Sequence, residues 1–196
     1  MIYKLAHVLR DCFPWLWDVV EWLNAFVFNL LYGGKLKQIP SLLEKYSVDY
    51  RVRETDVNDV ERLVSFFEKQ PESAFRFFKP HGFDKKSIVK VIKNKAFLTY
   101  VVLYHEEIIG YFFLRCYVNG KGFRGRMVDY QWNNKGIGKI MSRVLNDIAK
   151  TIQVRMFSSI SPENYASLAS AKATTHIKII KTLENGYYYI ELLPKE

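Results

Sequence analysis

The sequence is poor in the residues that build metal centres and disulfide frameworks. It has two cysteines and four histidines in 196 residues. Cys12 and Cys116 lie far apart, and no His/Cys group has ligand spacing. No metal is therefore expected, and the two thiols are expected to stay reduced and mostly buried in a cytoplasmic protein. The chain also lacks a basic run of five or more, which argues against a nucleic-acid arm and leaves no nucleic-acid partner expected. No internal repeat or low-complexity tract breaks it. A spanning helix needs about 20 mostly apolar residues, and Asp18 and Glu21 interrupt the one apolar stretch long enough. A basic start followed by an apolar core and a small-residue cleavage site is missing too, so no secretory signal is expected.

What is present is core material. Hydrophobic residues make up 49%, charged residues 25% and aromatics 16%, which suits a globular domain rather than a disordered chain. The net charge is +9. A basic surface suits nucleic acid, anionic lipid or a phosphorylated small ligand, and charge alone does not choose among them.

The chain divides into residues 1–46, an aromatic-rich helical extension, and residues 47–196. The pattern predicts a helix over residues 14–32, with Pro14 in the first turn and Gly33-Gly34 at the end. Asp11, Asp18, Glu21, Ala25 and Asn29 form a narrow polar stripe, and the rest of the circumference is Trp, Phe, Leu and Val. Such a helix must be mostly covered. It can pack on its own domain or in a homodimer, or it can lie on a membrane surface. Interfacial helices usually carry Lys and Arg on the polar face, whereas this stripe is acidic, so packing is the preferred reading.

After residue 47 the order reads β, α, α, β, β, β, α, β, α, β, β. The fold class is α/β (α+β): a mixed, largely antiparallel central sheet flanked by helices. Residues 96–104, 108–118 and 123–132 form a meander, with Asn119-Gly120 marking a hairpin. Residues 154–160 follow a helix and should lie parallel to 123–132. Ser161 is expected to cap the next helix with Pro162 at its first position. Asn185-Gly186 closes a terminal hairpin.

The strongest local signal is Asn133-Asn134-Lys135-Gly136-Ile137-Gly138-Lys139, between a strand and an amphipathic helix. Glycines let backbone approach a ligand closely, and a helix start offers unpaired N–H groups with the positive dipole end. Together these suit a pyrophosphate. The pattern is neither a Rossmann fingerprint nor a Walker A loop. On its own it could equally be a tight strand-to-helix turn.

With the order of elements, this loop resembles the GNAT superfamily of coenzyme-A-dependent N-acetyltransferases, whose phosphate loop reads Gln/Arg-x-x-Gly-x-Gly/Ala. The segment Ser161-Pro162-Glu163-Asn164-Tyr165-Ala166-Ser167 is similar to the family's strand-to-helix segment carrying an Asn. The resemblance spans about residues 48–196. It implies acetyl-CoA, or another acyl-CoA, as co-substrate and a small-molecule amine as acceptor. Residues 133–139 would hold the pyrophosphate, and backbone N–H groups around Val128–Tyr130 would bond pantetheine or polarise the thioester. Asn164 would border the same arm. An aromatic loop and the extension loosely resemble members that acylate nucleotide-linked amino sugars.

Three positions depart from the family. Asn133 stands where Gln or Arg is usual. Ala171 stands where a Tyr would protonate the leaving thiolate. Thr175-His176 replaces a Gly-Phe. The acid is then Tyr165, Tyr130 or water. His81, in a loop expected to border the acceptor, is either an ordinary hydrogen-bonded loop histidine or a proton carrier. Asp129, at a strand end, is either a surface charge or a base acting through water. A second function class stays open, in which the fold serves as a non-catalytic acyl-CoA-binding or interaction module.

Overall fold

The computed structural model describes residues 14–195. The elements in order are α1 (Pro14–Leu36), α2 (Ile39–Glu44), β1 (Arg51–Glu54), α3 (Val60–Glu68), α4 (Lys85–Lys93) and β2 (Phe97–Tyr104). They continue as β3 (Glu107–Cys116), β4 (Lys121–Val128), α5 (Ile137–Ile152), β5 (Arg155–Ile160), α6 (Tyr165–Thr174), β6 (Thr175–Thr182) and β7 (Tyr188–Pro194). Cys12, His7 and Asp11 lie outside the described residues, and so does the start of the polar stripe.

The strands form one seven-stranded sheet in the order β1-β2-β3-β4-β5-β7-β6. Every pairing is antiparallel except β4 with β5, which are joined through α5. That crossover is the expected β-α-β unit. The sheet is thus mixed, mostly antiparallel and flanked by helices.

Each face of the sheet has its own core. On one face α5 lays Met141, Val144, Leu145, Ile148 and Ile152 against β3 and β4, all below 1% exposure. Their spacing is the three-and-four step that puts apolar side chains on one helix face. The other core joins α3 and α4 to the sheet through Leu63, Phe67, Ile88, Tyr111 and Phe113. Arg53 on β1 grips buried Asp59 with two bonds of 2.6 and 2.7 Å, fixing the start of α3 to the sheet edge.

Several boundaries differ from the sequence pattern. Helix α1 runs through Gly33-Gly34 to Leu36, because neither glycine adopts a positive φ and the helix continues past them. Strand β4 stops at Val128, where Asp129 caps a single tight turn over Tyr130–Trp132. Helix α6 begins three residues after Pro162. Its cap is Asn164, whose Oδ1 accepts from the Ser167 N–H at 3.1 Å, rather than Ser161.

The largest difference concerns which way α1 faces. Its polar stripe flanks the domain: Glu21 and Ala25 turn toward it, while Asp18 and Asn29 stay exposed at its rim. Glu21 accepts from Arg115, Asn24 bonds the backbone of Cys116 and Val118, and Asp18 pairs with Lys90. Phe28 is fully buried in the same core as Ile39 and Leu43 of α2 and the α5 face of the sheet. The core therefore continues across residue 46. The helix's outer apolar side is left exposed. Among the described residues, no helix is long and apolar enough to cross a membrane.

Candidate active site

Strand β4 decides where the cleft is. Against β3 it pairs along its whole length, from Gly110↔Val128 to Cys116↔Gly122. Against β5 it pairs only at Lys121↔Arg155, Gly122↔Met156 and Phe123↔Phe157. Past Phe123 the two strands part. In an antiparallel ladder the main-chain groups of successive residues point to alternate edges. The Asp129 N–H bonds Ile109 O at 2.9 Å, which turns Asp129, Met127 and Gly125 toward β3. Arg126 and Val128 therefore point their N–H and C=O groups into the gap, beyond the last β5 rung.

A cleft of about 1130 Å³ opens through this gap. One end is the 133–139 loop and the start of α5. Gly136 caps that helix with a φ of +84°, a left-handed conformation that costs a side-chain-bearing residue about 1–2 kcal/mol. Asn134 is also left-handed, with a φ of +63°. The Lys139 N–H already bonds Gly136 O at 2.9 Å. The Ile137 and Gly138 N–H groups are the helix-start donors without an intrahelical partner.

Arg126 builds the wall beside this loop. Its guanidinium bonds Gly138 O, Ser142 Oγ, Ser170 Oγ and Ser167 O, fastening the first turn of α5 to α6. A Cβ on Gly138 would sit 3.4 Å from both Arg126 Nη1 and Ser170 Oγ, so the helix start, the arginine and α6 are close-packed here. Burial pulls the Arg126 pKa down to about 10. Arg124, two residues back on the same face, is also buried, and its Nη1 and Nη2 have no hydrogen-bond partner. Burial, and then the neighbouring Arg126 charge, push its pKa well down.

Among the described residues, the cleft lining contains five basic side chains, Arg76, Lys79, Arg124, Arg126 and Lys139, and no Asp, Glu or His. Among the described residues, no group of three His, Cys, Asp or Glu side chains could hold a metal.

The expected site residues divide. Val128, Tyr130, Asn133, Asn134, Gly136, Ile137, Gly138, Lys139 and Asn164 all line the cleft. Lys135 does not, and stacks its ammonium 4.3 Å above the Trp132 ring. Of the Val128–Tyr130 amides, Asp129 N–H is used by Ile109 and Tyr130 N–H by Gln70 Oε1 at 3.0 Å, so Val128 is the one turned to the gap. Tyr165 is 77% exposed and stands outside the lining.

His81 and Asp129 also stand outside the lining. Asp129 is a latch: Oδ2 accepts from Gln70 Nε2 at 3.1 Å and Oδ1 from the Gln131 N–H at 2.8 Å. His81 sits among Phe67, Phe83, Phe97 and Tyr111. Its Nδ1 faces Gly82 O at 2.7 Å and its Nε2 faces Tyr111 Oη at 2.9 Å. A carbonyl can only accept, so Nδ1 carries the proton and Nε2 accepts from the phenol. Burial lowers the His81 pKa, partly offset by the Gly82 bond.

Sequence reasoning passed over Arg124, Arg126, Ser170 and Tyr187. Alternating Arg124-Gly125-Arg126 in an otherwise apolar strand was the available signal for the first two, since a fully buried strand has no need of two cations.

No protein-family model and no curated protein matches the sequence. Solved structures do match. The GNAT domain of S. lividans PAT superposes with a TM-score of 0.63 at 17% identity, covering 72% of this chain and 89% of its own. The PaiA N-acetyltransferase of Thermoplasma acidophilum, solved with coenzyme A, gives 0.61 at 14% identity, covering 76% and 100%. An aminoglycoside acetyltransferase in complex with coenzyme A gives 0.58 at 15% identity, covering 74% and 94%. The chain has the GNAT fold.

Proposed function

We propose that the protein is an acyl-CoA-dependent N-acyltransferase that moves an acetyl group, or another acyl group, to a small amine. One observation carries this reading. The open edge of β4 and the donor-rich start of α5 face the same cleft, with basic side chains and no carboxylate along it. Coenzyme A is a polyanion with an amide-bearing arm. The helix start offers its N–H groups and dipole to the pyrophosphate. The Arg126 and Val128 backbone offers strand-like hydrogen bonds to the pantetheine amides. Neighbours of the same fold are solved with coenzyme A or acetyl-CoA, which supports that co-substrate.

In the reaction, a deprotonated amine attacks the thioester carbonyl. The C–N bond forms, the C–S bond breaks, and the thiolate takes a proton. Positioning supplies most of the acceleration. In this reading the Val128 N–H at the open edge bonds the developing oxyanion. Tyr130 is the acid: it lines the cleft and its hydroxyl accepts from Gln131 Nε2 at 2.9 Å, leaving its own proton free to donate. With no carboxylate or imidazole in the lining, the amine's proton leaves through water. The acceptor is an amino sugar or similar small amine. The basic lining disfavours a polycation, unlike the aminoglycosides bound by one neighbour.

A binding-only module is the second reading, favoured by the missing base and by Ala171. Calorimetric titration with acetyl-CoA, against free adenine nucleotide as a charge control, separates the cases from the start. Saturable binding of acetyl-CoA alone, followed by acyl transfer in an amine screen, supports the enzyme. Tyr130→Phe should then keep the affinity and lose about 100-fold in turnover. Binding without turnover on any amine supports the module, and no binding rejects both.

A further inference from the structure

We propose that the outer face of α1 docks on a membrane surface that contains anionic lipid. The inference is independent of acyl transfer.

The face is built from Trp15, Val19, Trp22, Leu23, Phe26 and Leu30. At 3.6 residues per turn these six fall within a sector roughly 100° wide. Trp15 is 67% exposed, Trp22 63% and Leu30 74%. Among the described residues, nothing covers them. Soluble proteins rarely leave an apolar stripe of this length open unless something docks on it.

An acidic stripe repels an anionic lipid surface as long as its charges are unpaired. In the fold both acids are neutralised: Glu21 turns toward the domain, and Asp18, exposed beside the stripe, is paired with a lysine. Asp18 pairs with Lys90 at 2.5 Å, and Glu21 with Arg115 at 2.5 Å. Lys90 belongs to a row on α4, Lys86, Lys90 and Lys93, spaced by four and three residues and all exposed. Through Lys90 this basic row adjoins the Asp18 flank of the apolar stripe. An apolar stripe with Trp and Phe, beside lysines, is the composition of an interfacial helix. Here the cations come from a neighbouring helix instead of the polar face of the same one.

A second copy of the chain fits less well. A 23-residue helix is about 35 Å long and roughly 10–12 Å across, so one face offers roughly 350–400 Å². Stable dimers bury about 800 Å² per partner. A bilayer needs no matching partner surface and takes the side chains singly.

The test uses the full chain with sedimented vesicles of phosphatidylcholine, alone or mixed with phosphatidylglycerol. Binding is expected to the mixed vesicles, weakened by salt, with a blue shift of tryptophan emission from Trp15 and Trp22. Trp22→Asp with Phe26→Asp should weaken binding at least about tenfold and leave acetyl-CoA affinity unchanged. Trp22→Gln alone serves as the milder variant should the double one lose its circular-dichroism signature. Lys86→Glu with Lys93→Glu should remove the preference for the anionic vesicles. Failure of the full chain to bind either vesicle overturns the proposal. So does equal binding by the stripe variants. A wild-type dimer that the stripe variants convert to monomer, with no vesicle binding, makes the face a contact between copies.

Discussion

The two edges of β4 share the same eight residues and do opposite things. Against β3 every residue from Gly122 to Val128 has a partner, and the edge is closed. Against β5 pairing stops at Phe123, and the edge is open from Arg124 onward. A buried main-chain donor without a partner costs free energy, so an open edge deep in a sheet persists where something else bonds it. The closed edge carries the fold, and the open edge is where the proposed chemistry would take place. The difference arises because the parting strands leave α5 and α6, rather than a neighbouring strand, to wall the gap.

The hardest way to break that contrast is at the helix start facing the open edge. Gly136→Val forces a β-branched residue into a left-handed conformation, although no atom lies within 4 Å of the new Cβ. The chain should stay folded and lose about 100-fold or more in acetyl-CoA affinity, read by calorimetry. Unchanged affinity in a folded variant would remove the loop from the site.

The two arginines on the open face sharpen the contrast further. Arg126 is bonded through both terminal nitrogens, and among the described residues those of Arg124 have no partner. Arg126→Met should unfasten α5 from α6, lowering unfolding free energy by about 1–3 kcal/mol and weakening acetyl-CoA binding about tenfold. Arg124→Met should move stability the other way, by about 1 kcal/mol, because it removes an unpartnered buried charge. Denaturant titrations of both variants check the pair. Equal losses would mean that Arg124 has a partner in solution.

The smallest effect belongs to His81, packed among aromatic rings outside the cleft lining. His81 is held neutral by burial, below its usual 6.5. The unfolded chain takes up a proton near that value and the folded chain does not. Stability is therefore complete above pH 6.5 and is lost as pH falls from there toward the folded pKa, by at most about 1.4 kcal/mol per pH unit. His81→Gln should flatten the melting temperature measured over that window. Its turnover should follow the parent pH–rate profile, since His81 does not line the cleft.

Much of this arrangement was legible in the chain. The β-α-β crossover, the hairpins at Asn119-Gly120 and Asn185-Gly186, and the apolar face of α5 follow from short-range rules. Those rules are the steric freedom of glycine and the two periodicities of backbone. The loop from Asn133 to Lys139 was legible for the same reason, being a local strand-to-helix turn. Asn164 was found by its place in the segment, while its capping role went to Ser161 by pattern.

Other features depend on what lies across space. Nothing local to β4 says that β5 leaves it after Phe123. Nothing local to His81 says that Tyr111, thirty residues on, donates to its ring. The spacing along α1 separated a polar from an apolar side but not which side faces the domain. That was decided by partners elsewhere in the chain: Arg115 on β3 and Lys90 on α4 pair with Glu21 and Asp18, and Phe28 is buried in the sheet's core. The sequence by itself determined the elements, their order and the glycine turn at the start of α5, because these rest on contacts within a few residues. Only the tertiary structure decided which strand edge stays open, which titratable groups leave the cleft and which face of α1 meets solvent. Those depend on pairings between segments that the chain brings together only when it folds.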